Sequence, residues 1–190
     1  MSKKGDMLYA WTNDAEIQKK AELGGAVTSL WKYALEAKIV DAVFVVTKGV
    51  DLYDAKPVLI TDAKDLANTA GSLHCGTLLM PKLIKKYYNG AKDMKIGVTV
   101  KGCDAMAFYE LAKRKQINLD NIYMIGVNCG GSVSPVTARK MIKEKYDVDP
   151  EKVHKEEIDK GPFIIESEGG HNGISVDEDE DPPAGRLGLR

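Results

Sequence analysis

Two cysteines occupy equivalent places in the sequence, each after a hydrophobic run that predicts a strand and before a predicted helix. Cys103 follows residues 96–100 (IGVTV), and Cys129 follows residues 122–127 (IYMIGV) and precedes a Gly-Gly pair. A thiolate at such a turn can serve as a nucleophile, because a helix N-terminus stabilises its charge. It can also be a ligand of an iron–sulfur cluster, because glycine-rich turns leave backbone N–H groups that hydrogen-bond the sulfurs. The third interpretation is a buried structural thiol.

The residues alone leave these three interpretations open. A nucleophilic thiol needs a base, and the three histidines, at positions 74, 154 and 171, have no motif spacing to either cysteine. A 4Fe–4S cluster usually takes four cysteines, whereas the sequence holds three, the third being Cys75. His74 and Cys75 are adjacent and cannot share one helical face, so we expect them to be core or wall residues rather than a metal site.

Two turns of small residues precede predicted helices. Gly24 and Gly25 lead into a segment whose apolar residues, at 27, 30, 31, 34 and 35, have helical spacing. The loop at residues 70–72 (AGS) leads toward a helix predicted over 77–88. Small residues at a helix start let a phosphate or a polar cofactor edge come close. The alternative for the glycine pair is tight packing of the helix against the rest of the chain.

The remaining pattern predicts alternating strands and helices. Strands are predicted at 41–47, 58–62 (after a turn at Pro57), 95–100 and 122–128, with helices at 103–116 and 134–146 and a short strand at 7–11. Residues 151–159 are read as one more helix. This order predicts an α/β fold: a mostly parallel sheet flanked by helices, with a small C-terminal β-ribbon and an acidic tail. Ligands of such sheets bind outside the carboxyl ends of the strands, where both cysteines fall.

We expect four parts along the chain. They are an N-terminal arm (1–22), an α/β domain (23–160), a β-ribbon (161–176) and an acidic linker toward a further C-terminal portion (177–190).

Composition excludes several classes of protein. The chain is 44% hydrophobic and 29% charged, with 27 Lys and Arg against 28 Asp and Glu, so its net charge of -1 gives no attraction to nucleic acid. No apolar run has the length of a membrane span, and the N-terminus has no secretory pattern. An odd number of cysteines fits a reducing cytoplasm better than a disulfide framework.

Several of these segments together resemble one protein family. Residues 23–30 (LGGAVTSL), the strand at 41–46, the AGS loop, residues 100–104 (VKGCD) and residues 125–131 (IGVNCGG) are similar to segments of the β subunits of coenzyme F-420 hydrogenases and dehydrogenases. The resemblance runs from about residue 20 to 150, in the family's order. Residues 103–117 and 128–131 look most like the formate-dehydrogenase branch found in methanogenic archaea, with the hydrogenase branch as the alternative. Lys101 and Gly102 replace the proline that the family has before this cysteine.

The resemblance implies an oxidoreductase subunit of the cytoplasm with FAD, a 4Fe–4S cluster and coenzyme F-420 as substrate. It implies a molybdenum- or tungsten-containing catalytic subunit as partner, and a larger electron-transfer complex such as heterodisulfide reductase. Carried over by position, the flavin site would include Gly24, Gly25, Ala26, Val27, Thr28, Ala70, Gly71, Ser72 and His74, and the cluster would include Cys103 and Cys129. Family members continue into a Cys-x-x-Cys segment that this sequence lacks. A non-enzymatic nucleotide-binding scaffold is the alternative from another class.

Overall fold

The computed structural model describes residues 3–76, 78–129, 131–158, 163–167 and 170–173. Its helices are α1 (Ala15–Lys20), α2 (Ala26–Glu36), α3 (Met80–Tyr87), α4 (Gly102–Lys113) and α5 (Pro135–Lys145). Its strands are β1 (Ala42–Lys48), β2 (Ala55–Ile60), β3 (Ile96–Val100), β4 (Ile122–Gly126), β5 (Val153–Ile158), β6 (Phe163–Ser167) and β7 (Gly170–Gly173). Among these residues, no helix is long and apolar enough to cross a membrane.

A four-stranded sheet with the order β2-β1-β3-β4 forms the centre of the fold. Strands β1, β3 and β4 are parallel, whereas β2 runs antiparallel to β1 at the edge. The predicted α/β fold with a mostly parallel sheet is therefore confirmed, as are the strands predicted near β1, β3 and β4 and the helices near α2, α4 and α5.

The two faces of this sheet carry separate hydrophobic clusters, because successive residues of a strand point to opposite faces. Phe44 of β1 belongs to the cluster under α3 and α4, which also contains Ile96, Val98 and Phe108. Its neighbour Val43 belongs to the cluster under α2, with Trp31, Leu35 and Leu66. This alternation fixes the register of the sheet and the positions of the helices that begin at its carboxyl edge.

Strand β2 corrects one detail of the prediction. Pro57 lies inside the strand, opposite Val46, rather than in a turn before it. Proline has no N–H to donate, but β2 is an edge strand with β1 as its one sheet neighbour, and an edge strand tolerates proline.

The prediction of a helix at residues 151–159 is wrong. A short 3₁₀ turn (Pro150–Lys152) leads instead into β5, which pairs with β6. Strand β7 pairs with the other side of β6 and completes a small antiparallel sheet. A register shift between Val153 and Lys155 places Val153 and Glu156 in the interior. This three-residue spacing imitates a helical pattern, because a bulge interrupts the two-residue period of a strand.

The N-terminal arm also differs from expectation. Residues 7–11 form no strand, and Met7 and Tyr9 are almost fully exposed. Helix α1 follows, capped by the Asp14 carboxylate, which accepts hydrogen bonds from the backbone N–H groups of Glu16 and Ile17. Ile17 is completely buried, so the arm is anchored by this one turn of helix. The expected acidic linker at 177–190 lies outside the described residues.

Candidate functional site

A cavity of about 720 Å³ lies at the carboxyl edge of the central sheet. Its walls come from the residues before and at the start of α2, from the loop at 71–76, from the ends of β1 and β3, and from residues 127–129 after β4. Its size falls in the range of cofactor and small-molecule sites, and its place at the strand ends is the one that open α/β sheets use for ligands.

The start of α2 lines this cavity. Gly25, Ala26, Val27 and Thr28 are in the lining, whereas Gly24, among the residues that the structure describes, lies outside it. The N-terminus of α2 therefore forms part of the cavity wall. The free N–H groups of a helix N-terminus favour an anion such as a phosphate.

Gly25 is small for a reason other than ligand contact. Its backbone is left-handed, with φ of +71°, and a Cβ built there would lie 2.7 Å from Cγ2 of Ile17 and 3.1 Å from Cγ2 of Thr12. The glycine lets α2 start tightly against α1 and the arm, so the packing interpretation applies to this residue even though it borders the cavity.

The loop after residue 70 supplies the opposite wall. Gly71, Ser72 and His74 line the cavity, while Ala70, within the described part of the chain, does not. Gly71 has φ of +113° and packs close to the backbone carbonyl of Lys20. His74 crosses to the α2 side of the cavity, where its Nε2 lies 3.0 Å from Oε1 of Glu22. A hydrogen bond between His74 and Glu22 thus links these two parts of the cavity wall.

Cys75 is buried, with 1% of its surface exposed, in a cluster with Tyr53, Ile142, Val153 and Ile165. Burial, and after it the nearby Glu156 carboxylate, raises the pKa of the Cys75 thiol far above its usual range. The thiol therefore stays protonated at neutral pH, and the core position expected for Cys75 is confirmed.

The two remaining cysteines sit at matched positions of neighbouring strands. Val100 on β3 pairs with Gly126 on β4, and the N–H of Val127 donates to the carbonyl of Val100 at 2.9 Å. Cys103 comes three residues after Val100, and Cys129 comes three residues after Gly126. Parallel strands in this register bring both cysteines to the same edge of the sheet.

Both thiols are exposed. Cys129 lines the cavity, whereas Cys103, among the described residues, lies outside it. A Cβ built at Gly102, next to Cys103, or at Gly126, three residues before Cys129, would meet no described atom within 4 Å apart from its immediate chain neighbours and its own helix, so space is open at both glycines. In the part of the chain that the structure describes, no three His, Cys, Asp or Glu side chains are grouped as a metal site.

Lys101 is a site residue that sequence reasoning missed. It lines the cavity, and its Nζ lies 2.7 Å from Oδ2 of Asp104, a carboxylate with a 1% exposed side chain. The same carboxylate accepts a hydrogen bond from the backbone N–H of Lys101 at the start of α4. The available signal was Asp104, an acidic residue in the first turn of a predicted helix, where negative charge is favoured. That Lys101 pairs with it and lines the cavity is visible only in the folded structure.

Trp31 and Thr99 form a second missed feature. Both line the cavity, and the indole Nε1 of Trp31 donates to Oγ1 of Thr99 at 2.9 Å. The ring packs on Gly97 of β3, where a Cβ would lie 2.5 Å from it. This contact spans two elements far apart in sequence, and it holds an aromatic ring rigidly against the cavity.

Comparison with known proteins places the chain in a family. Residues 7–85 match the family model for the N-terminal part of the coenzyme F-420 hydrogenase/dehydrogenase β subunit, and residues 93–187 match the model for the C-terminal part of the same β subunit. The chain is 53% identical over 182 residues to the β subunit of F-420-dependent formate dehydrogenase 1 of Methanococcus maripaludis. It is also 53% identical over 174 residues to the β subunit of the F-420-dependent formate dehydrogenase of Methanocaldococcus jannaschii.

A solved structure agrees with these matches. A chain of the F-420-reducing [NiFe] hydrogenase complex from Methanosarcina barkeri superposes with a TM-score of 0.69 at 25% identity, over 86% of this chain and 58% of that one. The two formate dehydrogenase matches cover 95% and 91% of this chain, which spans only 46% and 45% of those relatives. The resemblance predicted from the residues is confirmed: the chain belongs to the coenzyme F-420 hydrogenase/dehydrogenase β-subunit family.

Proposed function

We propose that this chain acts in the β subunit of an F-420-dependent formate dehydrogenase and transfers electrons to or from the deazaflavin coenzyme F-420. The 53% identity to two such subunits supports formate as the donor, against 25–27% identity to three F-420 hydrogenase β subunits. The observation that carries the proposal is the shared sheet edge, where a cofactor-sized cavity and two exposed cysteines lie together.

FAD is the cofactor that we assign to the cavity. The N-terminus of α2 offers backbone N–H groups for its phosphates. The Trp31 indole, 4% exposed, forms part of the cavity wall beside the site for its ring system. Of the residues expected at this site, Gly25, Ala26, Val27, Thr28, Gly71, Ser72 and His74 border the cavity. Bound FAD supplies the conversion between single-electron transfer and transfer of a hydride to or from F-420.

An iron–sulfur cluster is the second group that we assign to this edge. Cys103 and Cys129 are exposed thiols at matched strand ends, and the open space beside Gly102 and Gly126 leaves room for a cluster and for protein that completes it. A 4Fe–4S cluster needs four ligands, so two would come from residues outside this sequence. The chain's own role is to hold its two sulfurs in register beside the cavity.

The partner in this proposal is the molybdenum- or tungsten-containing subunit that oxidises formate, within a larger electron-transfer complex such as one with heterodisulfide reductase. We place the assembly in the cytoplasm, where three unpaired cysteines remain reduced. Two alternatives are weaker. A hydrogenase β subunit is disfavoured by the lower identity, and a non-enzymatic scaffold offers no reason for two exposed thiols in register at the cavity edge.

Metal analysis of the full-length subunit, purified without oxygen, tests the cluster assignment. Cys103→Ser and Cys129→Ser should each lose iron and the visible absorbance of one cluster, because each removes one sulfur ligand. Cys75→Ala is the matched control and should keep both, since its thiol is 1% exposed and packed inside a hydrophobic cluster. Full iron content in both serine variants would overturn the ligand assignment.

A further inference from the structure

A buried carboxylate joins the small sheet to the wall of the cavity. Glu156, on β5, is 5% exposed, and its Oε1 accepts hydrogen bonds from the backbone N–H of His74 at 2.6 Å and of Cys75 at 3.1 Å. The partners are more than eighty residues apart in sequence. Hydrogen bonds from N–H groups to an ionised carboxylate are about twice as strong as neutral ones.

The N–H groups that Glu156 holds belong to the cavity wall itself. Gly71, Ser72, His74 and Gly76 line the cavity, and residues 70–76 belong to no helix or strand. Such a segment needs other contacts to keep one shape, because it lacks the ladder of hydrogen bonds that fixes a regular element. Glu156 supplies two of these contacts from behind the wall.

Further contacts fix the same segment at its ends. His74 reaches Glu22 on the α2 side of the cavity, and its ring meets that of Phe163 on β6 edge-on, with 6.2 Å between ring centroids. At the other end, a Cβ on Gly76 would lie 2.9 Å from Cβ of Ala55. The wall is thus held between the central sheet, α2 and the small sheet.

Glu156 is a costly way to fill the interior if packing were its only purpose. Moving a carboxylate out of water is unfavourable, and apolar residues of similar volume often stabilise a fold more. The neighbouring residue Glu157, whose side chain pairs with Lys155, is part-exposed and avoids this cost. The two hydrogen bonds of the buried carboxylate instead fix the position of the cavity wall at residues 74 and 75.

We propose that Glu156 is a positioning residue through which the small sheet fixes the shape of the 71–76 wall and thereby the affinity of the cavity for its flavin. Glu156 itself lies behind the wall, among the residues that the structure describes, and is absent from the cavity lining. The inference rests on the proposed function in one respect, namely that the ligand is FAD.

The test compares three variants of the full-length subunit: Glu156→Ala, Glu156→Gln and, as matched control on the same strand, Glu157→Gln. Two quantities are measured, the amide hydrogen exchange of residues 74 and 75 without cofactor, and the Kd of FAD for the apoprotein. For Glu156→Ala we expect exchange of both amides to accelerate and FAD to bind roughly tenfold more weakly or worse, since two charge-assisted hydrogen bonds are lost.

Glu156→Gln should recover most of both properties, because its amide oxygen can still accept from the two N–H groups. Glu157→Gln should match the wild type. Tight FAD binding by Glu156→Ala, equal to that of the wild type, would overturn the inference and leave the proposed function standing. A uniform loss of stability without selective exchange at 74 and 75 would also overturn it. Absence of FAD binding by the wild type would instead overturn the proposed function.

Discussion

Val100 and Gly126 are paired across the parallel strands β3 and β4, and an exposed cysteine follows each of them three residues later. The separation is the same although the two connections differ: Cys103 lies in the first turn of α4, whereas Cys129 lies in the loop between β4 and α5. The strand pairing brings two residues that are distant in sequence to one edge of the sheet, next to the cavity that Cys129 lines. The resulting arrangement suits a pair of sulfur ligands beside a second cofactor.

The Lys101–Asp104 pair should contribute to the stability of the fold. In Lys101→Met the Asp104 carboxylate, 2% exposed as a residue, would lose its cation. We expect a loss of roughly 2–3 kcal/mol in the free energy of unfolding, because an unpaired buried charge is unfavourable. Urea denaturation measures it. Adding Asp104→Asn should restore much of the stability.

Helix α4 provides the matched control for this pair. Lys113 and Glu110 have the same three-residue separation at its other end, but their side chains are 70% and 57% exposed. Lys113→Met should leave the urea midpoint unchanged, since exposed ion pairs contribute little. Equal effects of the two lysine substitutions would contradict the burial argument.

Gly25 should be sensitive to the smallest substitution. In Gly25→Ala the new methyl group would collide with Ile17, and the left-handed backbone would be strained. We expect roughly 1–3 kcal/mol of destabilisation from strain and displacement of α1. Thermal or urea unfolding measures it. A change in cofactor content of this variant would therefore report on the α1–α2 corner as much as on ligand contact.

Gly102→Ala is the control for Gly25→Ala. A Cβ at Gly102 would meet nothing within 4 Å in the described chain, and the residue begins α4 with a negative φ. Alanine there should be neutral or slightly stabilising, because it favours the helix. If Gly25→Ala also left the free energy of unfolding unchanged, the predicted collision with Ile17 would be contradicted.

Tyr53 should make the fold sensitive to alkali. Burial, with the nearby Cys75 next in importance, raises the pKa of Tyr53 from 10.0 to about 12, and its hydroxyl donates to the carbonyl of Pro150 at 3.0 Å. Because the folded pKa is above the unfolded one, the neutral phenol's contribution is fully present below pH 10 and is lost as pH rises toward 12. The full effect is roughly 2–3 kcal/mol.

Urea denaturation between pH 9 and pH 12 measures this loss against a Tyr53→Phe variant, which lacks the titrating group. The difference in unfolding free energy between the two proteins should shrink as pH rises. A constant difference across that interval would contradict the raised pKa.

The sequence predicted those parts of the fold whose patterns are local. Strands β1, β3 and β4 follow from runs of branched apolar residues, and α4 and α5 from helical spacing between short polar connections. Strand β5 could not be predicted in the same way, because its bulge changes the spacing of its buried residues.

The site was predictable in part for the same reason. The glycine turns are visible as local motifs before helices, and both cysteines as local motifs after strands. The bonds from Trp31 to Thr99 and from Glu156 to the loop at 74–75 join residues 68 and about 80 positions apart. Such contacts depend on how helices and sheets pack, and neither Trp31 nor Glu156 belongs to a local motif that would indicate its partner.

Binding of FAD in the cavity at the sheet edge can be measured directly through Trp31, which lines that cavity. The sequence holds two tryptophans, and Trp31 lines the cavity while Trp11 is 66% exposed on the arm. Titration of the apoprotein with FAD should quench the fluorescence of a Trp11→Phe variant, in which Trp31 alone emits, more strongly than that of a Trp31→Phe variant, in which Trp11 alone emits. Saturable FAD binding without quenching of Trp31 would place the flavin elsewhere and contradict the account.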